Sequence, residues 1–220
     1  MLASGHRRRH QGIRHRIGAP PAQKSPVDDQ ELAALVATLP SGLAGIRNHA
    51  LLTLGWWGAF RRSALVALDV EDVARRREGV VLTLRRSQDG PGRPRGAHGR
   101  RLRRTRLRVR RAAFDAWVVA SGLTTGALFR RVDRNGHLLA GRLSDRAVAR
   151  VVQAAAERAR LSRARFAGHS LRAGFATTAA KHGKSLDAIM RQTHHKSESV
   201  ARRYIRHAGV FDDNATVGLA

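Results

Sequence analysis

In a chain of 220 residues with a formal charge of +26, one stretch stands apart: Ile46 to Phe60 is apolar on nearly every side, with Leu51, Leu52, Leu54, Trp56 and Trp57. A helix that is apolar all round must be the central buried helix, with the other elements laid around it. Asp28-Asp29 opens a helix whose Leu32, Leu35, Val36 and Leu39 fall at i, i+3, i+4, i+7, and Pro40-Ser41-Gly42 ends it. Gly58 marks the end of the central helix, and Arg61 to Leu68 reads as a short helix placed directly after it. Val70 to Val73 and Val80 to Leu84 read as strands around a polar turn at Glu78-Gly79. Ala112 to Val119 suggests a helix, Ala127 to Phe129 a short extended piece, and Asp133 to Gly136 a tight turn. Ser144-Asp145 caps a helix with Val148, Val151, Val152 and Ala155 on one face. Gly168, Gly174, Gly183 and Gly209 punctuate three more helices, about 170 to 181, 185 to 192 and 197 to 207. The expected fold class is mainly α with a small antiparallel β-sheet.

Lys plus Arg number 42 against 16 Asp plus Glu, which implies a polyanionic partner. Charge alone fits an RNA-coating protein as well as a DNA-binding one. Lysine stands only at 24, 181, 184 and 196, so the arginine excess reflects a GC-rich genome as much as phosphate recognition. The chain has no cysteine, which excludes disulfides and thiolate metal sites. No apolar run reaches the roughly 18 residues of a membrane span. Arg7-Arg8-Arg9 is followed by no apolar segment of a secretory signal. These readings predict a cytoplasmic, nucleoid-associated protein with no membrane partner.

Two segments have little to bury. Residues 1 to 26 are basic and broken by Pro20-Pro21 and Pro26, and they read as a linker or arm. A third strand is expected after Leu84, but residues 88 to 108 hold eight arginines, four glycines and two prolines. That composition predicts a disordered or misfolded insert with the third strand lost.

The chemistry-bearing residues gather near the end: His169-Ser-Leu-Arg172, His194-His195 and Arg202-Arg203-Tyr204-Ile205-Arg206, with Arg61 far upstream. A phosphodiester is attacked through a transition state with extra negative charge on its nonbridging oxygens. Arginine suits that charge, because its planar fork donates parallel hydrogen bonds and stays protonated. A tyrosine hydroxyl can attack and keep the bond energy as a phosphotyrosine, with histidines to accept or donate protons, and no metal or cofactor is needed. Taken singly, Arg61 reads equally as a surface arginine, His169 as a helix N-cap neighbour and Tyr204 as an aromatic at the edge of the core. Tyr204, however, is the only tyrosine in the chain.

As an ordered set, these residues resemble the tyrosine recombinases, the phage-integrase type of site-specific recombinase. Gly58-Ala-Phe-Arg61-Arg-Ser63 resembles the family's first arginine motif, His169-Ser-Leu-Arg172 its His-x-x-Arg, and His195 and Tyr204 its last two members. The steps of 23 residues from Arg172 to His195 and nine to Tyr204 are those of the family. The resemblance implies a tyrosine-recombinase (DNA breaking-rejoining) catalytic domain acting on double-stranded DNA, with other recombinase protomers in a synaptic complex. Arg61 and Arg172 would clamp the scissile phosphate, His169 would act as general base, and His195 would hydrogen-bond the phosphate. Tyr204 would form the 3′-phosphotyrosine. Arg202, Arg203 and Arg206 beside it would contact DNA.

The resemblance runs from about residue 10 to the end. It implies that residues 1–26 are the linker left from a missing N-terminal core-binding domain, and that 27–220 are the catalytic domain. Ala64 stands where the family has Glu, and His194 where it has Gly. The family's catalytic lysine, carried between strands two and three, has no counterpart: Arg85-Arg86-Ser87 approaches its motif, but Gln88 follows. Residues 88 to 94 can be respelled one base out of frame as Lys-Thr-Asp-Gln-Glu-Gly, so a frameshift is compatible with the loss. Two readings follow: a recombinase that cuts and rejoins DNA, and a catalytically impaired DNA-binding remnant of one.

Overall fold

The computed structural model describes residues 24–77, 79–85, 102–107, 111–195 and 197–208, apart from the side chains of 85, 102–107, 203 and 205–208. The apolar stretch forms α2 (Leu43–Trp57), which packs against α1 (Asp29–Ala37), α3 (Arg62–Val66), α4 (Ala112–Ser121), α5 (Asp145–Arg158) and α6 (Ser170–Lys181). Its Leu51, Leu52 and Leu54 are buried with Leu35 of α1, Trp117 of α4, Val148 and Val152 of α5 and Leu171 of α6. α7 (Leu186–Thr193) and α8 (Glu198–Ala208) follow and pack against α6 and each other.

Capping follows the sequence. Asp28 accepts from the Glu31 amide at 2.8 Å while Glu31 accepts from the Asp28 amide at 3.1 Å, a reciprocal cap that starts α1. Ser144 and Ser185 start α5 and α7 in the same sense, each accepting from the amide three residues on.

A three-stranded antiparallel sheet runs in the order β1 (Val73–Arg76), β2 (Gly79–Arg85), β3 (Leu102–Leu107), and a hairpin pairs β4 (Arg130–Val132) with β5 (Leu138–Arg142). The sheet corrects three expectations. First, residues 70–72 form a 3₁₀ turn, because the Asp72 carboxylate takes the Asp69 amide at 3.0 Å and competes with a strand ladder. Second, the short piece at 127–129 is joined to Asp69 by an isolated bridge at Ala127 and accepts the Leu143 amide at the Phe129 carbonyl, and the strand itself begins at Arg130. Third, the strand expected to be lost from 88–108 is present at 102–107, paired with β2 from Val80↔Leu107 to Arg85↔Leu102. Ladder bonds come from the backbone, and an edge strand tolerates charged residues that a central strand would not. Residues 88–101 and 108 lie outside the described residues, as do 1–23 of the basic linker.

Long-range bonds of Val27 and Arg142 set the frame for the C-terminal part of the molecule. The Val27 amide donates to the Ser170 carbonyl at 2.9 Å, and the Val27 carbonyl accepts from Trp56 Nε1 at 2.8 Å. Arg142 of β5 donates to the carbonyls of Val66 and Leu68 at 2.7 and 3.0 Å and pairs with Asp69, closing the C-terminal end of α3. The Val27 strap lies so close to α6 that a Cβ on Gly174 would fall 1.6 Å from the Val27 carbonyl oxygen.

Gly174→Ala is therefore expected to push the strap off α6 and to destabilise the fold by roughly 2–3 kcal/mol. Urea unfolding at neutral pH would measure this, and an unchanged midpoint would refute the packing.

Candidate active site

The site forms where α2 ends. Gly58 closes the helix, its amide on the Leu54 carbonyl at 2.9 Å, and a Cβ there would meet the Phe60 ring at 2.1 Å. Ala59 then takes a left-handed conformation, φ 48°, with its amide on the Trp56 carbonyl at 2.9 Å. This reversal turns the Ala59 carbonyl toward α6, where Arg172 Nη1 donates to it at 2.8 Å. Arg61 follows as the exposed N-cap residue of α3.

Arg172 is only 5% exposed. Its Nη2 is buried and has no hydrogen-bond partner among the described residues. Burial and the neighbouring Arg61 charge pull its pKa down to about 10, against an upward effect of Tyr204. A buried guanidinium beside a second one, with donors unused, is an arrangement that an anion would stabilise.

His169 sits one turn before Arg172 at the N-cap of α6, exposed at the surface. Although the residue as a whole is exposed, partial desolvation of its ring first, and then Arg62, Arg172 and Arg61, lower its pKa. α7 ends in His194, which takes the left-handed conformation at φ 54°. Glycine is the usual residue there, and histidine is among the side chains that tolerate it. That turn delivers His195 beside Tyr204 of α8, with the rings stacked 5.5 Å apart at 18°. His195 Nδ1 lies 2.9 Å from Thr193 Oγ1. Burial first, then the Arg172 and Arg61 charges, lower the His195 pKa to about 4, so the ring is neutral at pH 7.

Of the five residues expected from the sequence, Arg61 and Arg172 lie within electrostatic range of each other and of both His169 and His195, and Tyr204 within range of Arg172 and in ring contact with His195. Of the three arginines expected to contact DNA, Arg202 is exposed and pairs with Glu198 at 3.1 Å. The side chains of Arg203 and Arg206 lie outside the described residues. Among the described residues no group of three His, Asp or Glu side chains could hold a metal ion. None of their helices is long and apolar enough to cross a membrane.

Sequence reasoning missed the Ala59 carbonyl, Thr193 and Gln192. Gln192 of α7 donates through Nε2 to the Trp57 carbonyl at 2.9 Å and ties α7 to the end of α2. Thr193, two residues before His195, carried a short-range signal; the contacts to α2 had none.

Two guanidinium groups, two imidazoles whose pKa values are lowered and one phenol are thus gathered in one region of the fold. The model of the phage integrase family matches residues 26–209, and the chain belongs to that family. It is 37% identical over 211 residues to an integrase/recombinase xerD homolog of Selenomonas ruminantium, covering 92% of this chain and 60% of that protein. The chain thus spans about three fifths of the length of that curated relative. Its fold is similar to that of XerH site-specific recombinase in a post-cleavage complex with palindromic difH substrate (TM-score 0.64, 16% identity, 87% of this chain, 54% of that one). It is similar also to XerA recombinase (TM-score 0.64, 16%, 90% and 66%) and to a lambda integrase dimer bound to a COC′ core site (TM-score 0.58, 17%, 87% and 50%).

The imidazoles provide a pH test. Unfolded, His195 titrates near its ordinary 6.5, and folded near 4, so the unfolded chain binds more protons between these values. Stability is expected to be independent of this group above about pH 6.5 and to fall as the pH drops toward 4, with His169 acting in the same direction. Urea unfolding across that range measures the slope, which His195→Asn should make shallower.

Proposed function

We propose that this chain cleaves and rejoins strands of double-stranded DNA through a 3′-phosphotyrosine on Tyr204, the chemistry of a site-specific recombinase or integrase. The observation that carries this reading is Arg172, nearly buried with Nη1 tied to the Ala59 carbonyl and Nη2 without a partner among the described residues. It stands beside Arg61 and the only tyrosine of the chain. Arg61 and Arg172 hold the nonbridging oxygens of the scissile phosphate and take up the charge that grows in the transition state. Tyr204 Oη attacks phosphorus, and the 5′-oxygen leaves. His169, biased toward the neutral form, acts as general base, and His195, neutral as well, hydrogen-bonds the phosphate. Arg202, Arg203 and Arg206 on α8 contact the DNA backbone on either side, and recombination itself joins several protomers on DNA.

A second reading, a DNA-binding relative with impaired turnover, is favoured by one observation: no lysine lies on or between β2 and β3. An unassisted alkoxide leaving group costs about 10²- to 10⁴-fold in rate where a general acid is absent.

Both readings are separated by a randomised pool of duplexes nicked beside each candidate scissile phosphate, so that cleavage traps the covalent adduct. An adduct that Tyr204→Phe abolishes, and that forms about 10²- to 10³-fold more slowly with Arg172→Ala, is expected from a cleaving enzyme. Binding without adduct supports the remnant. Replacing the leaving 5′-oxygen by sulfur, which departs without a proton, should restore roughly 10²-fold or more of the rate if only the acid is lacking.

A further inference from the structure

Arg62 is not one of the five residues expected from the sequence, yet its side chain is drawn into the same region. It opens α3, three and four residues before the buried Leu65 and Val66, so it lies on the inward face of that helix, while Arg61 at the N-cap is exposed. Gly168 is buried, and a Cβ on it would collide with Arg62 Cδ and lie only 2.7 and 2.8 Å from Cγ and Nε. The stem of Arg62 therefore crosses bare backbone that any side chain at 168 would cover. That backbone is fixed on both sides. The Ala167 amide donates to Ser170 Oγ at 2.9 Å, the Ser170 amide donates to the Ala167 carbonyl at 3.0 Å, and Ser170 is buried. His169 is the next residue of this turn. After partial desolvation, Arg62 is the foremost of the arginine charges that act on His169, ahead of Arg172 and Arg61. It is not among the charges that act on Arg172 or His195, which puts it on the His169 side of the site. Half-buried, its side chain makes no hydrogen bond or ion pair among the described residues.

We propose that Arg62, seated across Gly168, is a third phosphate-holding guanidinium, and that it grips the DNA phosphate next to the scissile one on the His169 side. The proposal rests on the reading of Arg61 and Arg172 as the clamp on the scissile phosphate. A phosphodiester carries a single negative charge, which those two guanidinium groups already exceed. A third cation beside them suits the neighbouring phosphate of the same strand, and a polyanion is the ligand that brings both anions at once. Seating the stem on fixed backbone also lowers the side-chain entropy lost when the guanidinium engages. Glycine at 168 is what leaves room for this, so the pair Arg62 and Gly168 acts as a unit.

The test uses the full chain and the duplex that it binds most tightly out of the randomised pool. Arg62→Gln keeps the stem and removes the charge. It is expected to weaken binding about 10-fold and to lower the slope of log affinity against log salt by about 1, as loss of one phosphate contact should. Arg62→Lys should keep the slope. Gly168→Ala, which puts a methyl where Arg62 Cδ lies, should weaken binding in the wild-type background and add nothing in Arg62→Gln. Methylphosphonate in place of one phosphate at a time locates the contact. One neutral phosphate should cost the wild type about 10-fold and Arg62→Gln nothing, and it should adjoin the phosphate that Tyr204 captures on the nicked duplex. Unchanged affinity and slope in Arg62→Gln, additive losses in the double variant, or a contact remote from the captured phosphate overturns the proposal. Absence of adduct with every duplex sinks the reading of Tyr204, while the salt slope and the methylphosphonate scan still decide whether Arg62 holds a phosphate.

Discussion

Every α-helix ends with carbonyls that it cannot satisfy itself, and in this protein the free end of α2 is where the candidate site is assembled. Gln192 donates to the Trp57 carbonyl and Arg172 to the Ala59 carbonyl, so α7 is fastened to the last residue of the central helix and α6 to the reversal just after it. The negative end of the helix dipole faces the same place and favours cations there. Buried between α1, α3, α4, α5 and α6, α2 provides an anchor, and the side chains of the candidate site take their positions from it.

The reversal at Ala59 makes this fastening work. A non-glycine residue in the left-handed region costs on the order of 1 kcal/mol, and the cost is carried where surrounding contacts over-determine the backbone. Here the Ala59 amide is bonded to Trp56, its carbonyl to Arg172, and the residue is fully buried. The same turn points Arg61 outward while Arg172 is drawn inward. One guanidinium is thus exposed at the surface, and the other is held on the Ala59 carbonyl. Burial first, and then the charges of the arginines brought together here, lower the pKa values of Arg172, His169 and His195.

Much of this could be read from the chain. The helices were legible because their apolar residues repeat at helical spacing and their starts carry Asp28, Ser144 and Ser185. His169 and Arg172, three apart, were bound to share one face of a helix. The family membership followed from the order of Arg61, His169, Arg172, His195 and Tyr204. β3 was not legible, because an arginine-rich stretch with two nearby prolines offers no alternation, and its strand is defined by backbone pairing with β2. The 3₁₀ turn at 70–72 escaped because Val70 and Val73 suggest a strand while the decisive contact is between two aspartates.

The sequence by itself determined which residues could do the chemistry, where the helices begin, and that one helix had to lie at the centre. These are local properties, set by side-chain type and by spacing over one or two turns. Only the tertiary structure decided which carbonyl receives Arg172, how the Val27 strap holds α6 and Trp56 together, and which atom of His195 meets Thr193. Most of those contacts join residues from 29 to 143 positions apart. Their partners are backbone groups, which every residue carries alike, so side-chain pattern cannot mark which one a donor will reach. The choice is made by packing, when close contact at Gly174 and the reversal at Ala59 leave a single geometry that satisfies the buried donors.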